Sequence, residues 1–157
     1  MDKVNSTSRL FSLETKVLLI QTDTTVGFLS QDEAKLQAIK ERPSTKPFII
    51  VYKSFKALKE AKHRVPSSRK NQIRRSKKTT FIVKNRSFRV ASDTLHSKFL
   101  TDISWNYSTS ANETSKHFVR EFCEEKTDII IEDKNSIYEG QSSKLYKINN
   151  IKSVRLR

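Results

Sequence analysis

The chain has 157 residues, of which 35% are hydrophobic and 31% charged, the make-up of one soluble folded domain rather than of a disordered or membrane-embedded chain. Its only cysteine, Cys123, excludes an intramolecular disulfide and a cysteine-built zinc site, and the early apolar run VLLI (17–20) is too short for a signal-sequence core or a membrane span. The formal net charge is +14, and nearly all of it sits in residues 53–89, which hold fourteen Lys and Arg against one acidic residue, Glu60.

These features set the expectation of a single domain over 1–157, cytoplasmic and without membrane contact. The basic block is expected either to meet a polyanion such as RNA or to form a solvated basic surface. Within it, Arg69, Lys70, Arg74, Arg75, Lys77 and Lys78 are the candidate RNA contacts. The three histidines, His63, His96 and His117, lack metal-ligand spacing.

In chain order, KVLLIQ (16–21) has the pattern of a buried strand, and TDTTVGFLS (22–30) forms a turn whose Gly27 leads into a second short apolar stretch. Ser30 with Glu33 predicts a capping box for a helix over 32–41, which Pro43 stops. PFIIVY (47–52) is a β-branched strand, and Ser54 caps FKALKEAK (55–62). The basic run 62–78 has little periodicity and reads as loop or frayed helix. TTFIVK (79–84) and SFRVA (87–91) predict paired strands. Helix 93–100, a strand over 104–109, helix 114–125, the strand DIIIE (128–132) and short strands near 143–148 and 151–156 complete the pattern. Strands mixed with helices at this spacing predict an α/β or α+β sheet domain. Phe118, Phe122 and Cys123 read as one apolar helix face, and Trp105 and Tyr107 as alternating strand residues.

Two segments carry the candidate chemistry. In IKERPSTKP (39–47), Lys40 and Arg42 lie at a helix C-terminus, where cations meet the dipole favourably, and Pro43 and Pro47 stiffen the exit that holds Lys46 near the same edge. Three cations fixed beside a sheet edge suit phosphate or carboxylate recognition. Far downstream, YSTSANETSK (107–116) sets small hydroxyl and amide side chains before a predicted helix, where they either cap that helix or cradle an anion. The chain has neither a glycine-rich phosphate loop nor a Gly-x-Ser-x-Gly elbow, its two glycines being Gly27 and Gly140. Phosphates would therefore be held by side chains.

TDTTVG (22–27), IKERPSTKP and STSAN (108–112), in this order and spacing, resemble the motifs T-D-T-x-Y-G, K-x-R-P-x-x-K-P and S-x-N of the YrdC-like family, the L-threonylcarbamoyladenylate synthases. The resemblance implies a twisted mixed sheet with flanking helices around a concave basic cavity. It implies a nucleotidyltransferase that joins L-threonine, bicarbonate or carbon dioxide and ATP into threonylcarbamoyl-AMP and pyrophosphate. The product would serve threonylcarbamoyladenosine modification of tRNA, through partner proteins that transfer the group. On the matching motifs, Lys40 and Arg42 hold the ATP phosphates and Ser110 and Asn112 bond the nucleotide, with Arg89 and Ser143 as further ATP-side residues. Thr22 and Thr24 line the threonine pocket with Lys46 nearby. Magnesium is expected with ATP, and Asp23 reads either as its nearest carboxylate or as a turn residue; no metal-ligand set is assigned.

The sequence departs from the family motifs at Gln21, Val26 and Ala91, and RRSKK (74–78) stands where the family has a Pro-Gly-Pro-like segment. Together with the basic block, these departures favour an alternative, a non-catalytic YrdC-like protein that binds double-stranded RNA or tRNA. A relative acting on a different nucleotide-activated acid is a third reading.

Overall fold

A computed structural model describes residues 13–43, 45, 47–91 and 103–157. Nine strands form one mixed sheet: β1 (Leu18–Gln21), β2 (Val26–Ser30), β3 (Ile49–Tyr52), β4 (Thr79–Val83), β5 (Arg86–Val90), β6 (Trp105–Ser110), β7 (Ile129–Ile131), β8 (Lys144–Ile148) and β9 (Ser153–Arg155). Their spatial order is β7-β1-β2-β6-β3-β5-β4-β8-β9. Pairing is antiparallel except for β1 with β7, β3 with β5 and β4 with β8.

Period-two alternation gives the central strands one apolar and one polar face. Phe81 and Val83 of β4 and Phe88 of β5 enter a core cluster that Leu58, Ile73 and Tyr52 complete. The register sets Phe81 opposite Phe88, with ring centroids 5.9 Å apart. The intervening Thr80, Ile82, Ser87 and Arg89 turn to the other face, where they line a cavity. A second cluster joins Val17, Leu19, Val26 and Phe28 to Leu36 and Cys123. Trp105 and Tyr107 stand edge to face at 5.3 Å, one packed against each cluster.

Helix α1 (Glu33–Lys40) is capped two residues later than the predicted capping box: the Asp32 side chain accepts from Lys35 N at 3.3 Å, while Ser30 Oγ accepts from Asp32 N. It closes before Pro43. Glu41 adopts a left-handed φ of 47°, and the Glu41 and Arg42 N–H groups bond back to the Ala38 and Gln37 carbonyls, a Schellman closure. Helix α2 (Phe55–Glu60) is capped by Ser54, whose Oγ accepts from Ala57 N at 3.1 Å, as its sequence predicts.

The basic run is more ordered than its weak periodicity suggests. A 3₁₀ turn (Ser67–Arg69) runs into α3 (Lys70–Arg75), held by one buried residue, Ile73, and by Arg74 stacked 4.5 Å over the Phe55 ring. The predicted helix 114–125 shortens to α4 (Arg120–Glu125), which starts at Val119 without a side-chain cap. The polar run before it is thus no helix cap: 107–110 belongs to β6, 111–116 forms bends and a turn, and 117–119 is irregular up to the extended Val119. Predicted helix 93–100 lies outside the described residues. Among those described, no helix is long and apolar enough to cross a membrane.

Candidate active site

The polar face of the central strands floors a cavity of about 450 Å³. Strand β6 contributes Ser108 and Ser110, β5 contributes Ser87 and Arg89, and β4 contributes Thr80. Gly27 keeps the β2 side open, since a Cβ there would lie 3.1 Å from both Thr109 O and Thr22 Cγ2.

One end of the cavity is the turn at 22–25. Thr22 Oγ1 donates to the Thr25 carbonyl at 2.6 Å and accepts the N–H groups of Thr24 and Thr25, each at 3.2 Å. Its hydroxyl pins the turn, while Thr24 presents its own hydroxyl to Arg89 Nη1 at 3.0 Å. Behind them Asp23 lies 3.3 Å from Arg89 Nη2, with both side chains buried. Burial lowers the Arg89 pKa from its ordinary value and the Asp23 charge opposes that shift. Asp23 is therefore a buried counter-ion. Arg89 Nε is buried without a partner.

Segment 137–143 clamps this turn from outside. Gly140 N donates to Thr25 Oγ1 at 2.9 Å, and a Cβ on Gly140 would meet the Thr24 carbonyl oxygen at 2.1 Å. Two of the departures from the family motifs, Gln21 and Val26, are accommodated here. Gln21 Oε1 accepts from Tyr138 N, and Val26 is 1% exposed and packs into the core rather than lining the cavity. Ser143 bonds Thr80 side chain to side chain at 2.8 Å, and its carbonyl accepts from Arg157 Nε at 3.1 Å.

The other end is the helix exit and the polar elbow. Lys40, 8% exposed, donates to the carbonyls of Ser110 (3.1 Å) and Asn112 (2.6 Å) and to Asn112 Oδ1 (2.9 Å). An ammonium has three protons, so the elbow takes them all. Burial lowers the Lys40 pKa and the nearby Arg42 charge pushes the same way. Ser110 Oγ donates to Asn112 Oδ1 at 2.7 Å, and Thr114 Oγ1 donates to the Lys40 carbonyl at 2.9 Å. Arg42 is held differently: its guanidinium rides 4.8 Å from the Phe48 ring centroid and its Nε is buried without a partner. Arg42 and Ser110 line both the main cavity and an adjoining hollow of about 370 Å³ that Lys40 and Asn112 also border.

Lys40, Arg42, Ser110 and Asn112, seventy residues apart in sequence, thus converge, and Thr22, Thr24, Arg89 and Ser143 lie around the same cavity. Lys46 lies outside the described residues. Of the candidate RNA contacts, Arg69 is engaged by the Asn149 and Ile151 carbonyls and Arg74 by Phe55, whereas Arg75, Lys77 and Lys78 are exposed. Sequence reasoning missed Arg157, Thr80 and Ser108, which face the cavity through strand registers that no local pattern encodes. Among the described residues, no three His, Cys, Asp or Glu side chains gather as a metal site.

The profile of the Sua5, YciO and YrdC family, described as telomere recombination, matches residues 13–157. The chain belongs to this family. Its fold agrees with that of several solved structures. P. abyssi Sua5 complexed with L-threonine superposes with a TM-score of 0.76 at 18% identity, over 99% of this chain and 55% of that one. E. coli YciO gives 0.61 at 17% identity, over 96% of this chain and 86% of its own. Full-length HypF in its phosphate- and nucleotide-bound form gives 0.73 at 16% identity, over 100% of this chain and 25% of the larger protein. The chain spans about half the length of the Sua5 chains it matches. Comparison with curated proteins gives no match.

Proposed function

We propose that this Sua5/YciO/YrdC chain is a threonylcarbamoyl-AMP synthase, acting in the cytoplasm on L-threonine, bicarbonate or carbon dioxide and ATP for tRNA modification. One observation carries the reading: Arg42 at the helix exit and Ser110 of the elbow that Lys40 ties down line one cavity with a buried arginine beside a threonine hydroxyl.

In this reading Arg42 neutralises the ATP phosphates, and Ser110 and Asn112, set by Lys40, bond the nucleotide. Thr24 offers its hydroxyl to the amino-acid carboxylate, and Arg89, fixed behind it by Asp23, sets positive charge beside that end of the cavity. The threonine amine adds to carbon dioxide and releases its proton to water. A carbamate oxygen then attacks the α-phosphorus, the bond to the β-phosphate oxygen breaks, and pyrophosphate leaves. Positioning and charge neutralisation supply most of the acceleration in such chemistry. Magnesium enters as part of the ATP chelate, on phosphate oxygens and water. The product passes to proteins that transfer the threonylcarbamoyl group to tRNA.

Pyrophosphate release is measured with and without threonine. Threonine-dependent release that Arg42→Met abolishes supports the synthase; threonine-independent release, or none, overturns it. A second reading, an RNA-binding member without catalysis, is favoured by the exposed Arg75, Lys77 and Lys78 within the +13 block. It requires RNA affinity to fall steeply with salt while threonine leaves ATP untouched.

A further inference from the structure

Beside the main cavity opens a side pocket of about 330 Å³ that no sequence motif anticipates. Its lining includes four cations, Lys78, Lys144, Arg155 and Arg157, and no Asp or Glu. None of the four is in an ion pair among the described residues. They come from two segments that strand pairing brings together: Lys144 N donates to the Lys78 carbonyl at 2.9 Å where β8 joins β4.

Both arginines are anchored through one nitrogen. Arg155 Nε donates to the Arg157 carbonyl at 3.0 Å, and Arg157 Nε to the Ser143 carbonyl at 3.1 Å. The terminal amino groups of both forks are left for a ligand, already oriented. Four uncompensated like charges around one hollow repel one another, and an anion that enters relieves that repulsion. Thr24, Ser143 and Arg157 line the side pocket and the main cavity alike, so the two are continuous.

We infer that the side pocket is a second anion site, which takes a phosphoryl group between Lys78, Lys144, Arg155 and Arg157 at the end of the cleft remote from the elbow. This inference does not need the synthase reading, because binding is measured without turnover.

The test uses the full chain carrying Arg42→Met, so that the anion-binding end at the elbow is disabled, and inorganic pyrophosphate as the probe in titration calorimetry. Pyrophosphate is expected to bind this protein at one site, more weakly as salt rises. Adding Lys144→Met and Arg155→Met is expected to weaken it about tenfold, from two partly exposed charge contacts. The charge-preserving pair Lys144→Arg and Arg155→Lys is expected to keep binding, which separates lost charge from lost folding. Loss of all binding in Arg42→Met alone, or equal affinity after the two methionine substitutions, overturns the assignment. A short RNA duplex distinguishes the sources of the phosphoryl group: displacement of pyrophosphate by RNA assigns the pocket to a polynucleotide backbone, and binding without displacement assigns it to a small phosphate. RNA binding that the methionine pair weakens in a protein that never binds pyrophosphate overturns the pocket in favour of an open basic face.

Discussion

Lys40 offers the sharpest test of how the elbow works. Its ammonium makes three hydrogen bonds, at 3.1, 2.6 and 2.9 Å, all to Ser110 and Asn112. Bonds from a charged donor are worth about 1.5–3 kcal/mol each, and burying the ammonium returns several kcal/mol of that. Lys40→Met is therefore expected to cost about 2–3 kcal/mol of stability, read from denaturant midpoints. Its effect on ATP affinity should act through the elbow. In a double-mutant cycle with Asn112→Ala, the two losses in ATP affinity are expected to overlap by about 1–2 kcal/mol, because both remove the Lys40–Asn112 Oδ1 contact. Losses that add to within about 0.5 kcal/mol would mean that Lys40 reaches the nucleotide itself, and the positioning argument would be wrong.

Asp23→Asn removes the counter-charge of Arg89 and is expected to lower stability by about 3–5 kcal/mol; a loss below about 1 kcal/mol in urea unfolding would show that the pair is not a buried one. Gly140→Ala forces a methyl onto the Thr24 carbonyl, so a destabilisation of about 2–3 kcal/mol should accompany weaker threonine binding, and a neutral Ala variant would refute the clamp. His63, bonded to Tyr52 and packed on Phe88, is held down to about 4 by burial and by the Arg86 charge. Its folded pKa lies below the unfolded 6.5, so its contribution is complete above pH 6.5 and disappears as the pH falls to 4, about 3 kcal/mol in all; melting of His63→Phe should lose that part of the acid sensitivity, and an unchanged pH profile would count against it.

The strands were legible wherever one face is apolar. TTFIV and SFRV alternate because Phe81, Val83 and Phe88 enter the core while Thr80, Ser87 and Arg89 do not. The motif residues were legible as a set, and their meeting place followed from the family resemblance. What each one does was less so. A lysine at a helix C-terminus shows only that a cation meets a dipole; that its protons end on an elbow seventy residues later depends on β2 and β3 flanking β6. Helix α3 was obscure because its one inward residue, Ile73, gives no period, and its support comes from Phe55 and from the β8–β9 turn gripped by Arg69. The shortened α4 was missed because the elbow's polar side chains bond one another and Lys40 instead of capping the helix.

The strand order has a further consequence for how this protein is made. Strand β4 gains its outer neighbour, and the cavity gains Arg157, only when residues 144–157 dock. Pairings so distant in sequence close slowly. On the ribosome, the nascent chain would hold the threonine turn, the helix exit and the elbow well before it held a finished cleft. Binding competence should therefore switch on only with the emergence of residues 144–157.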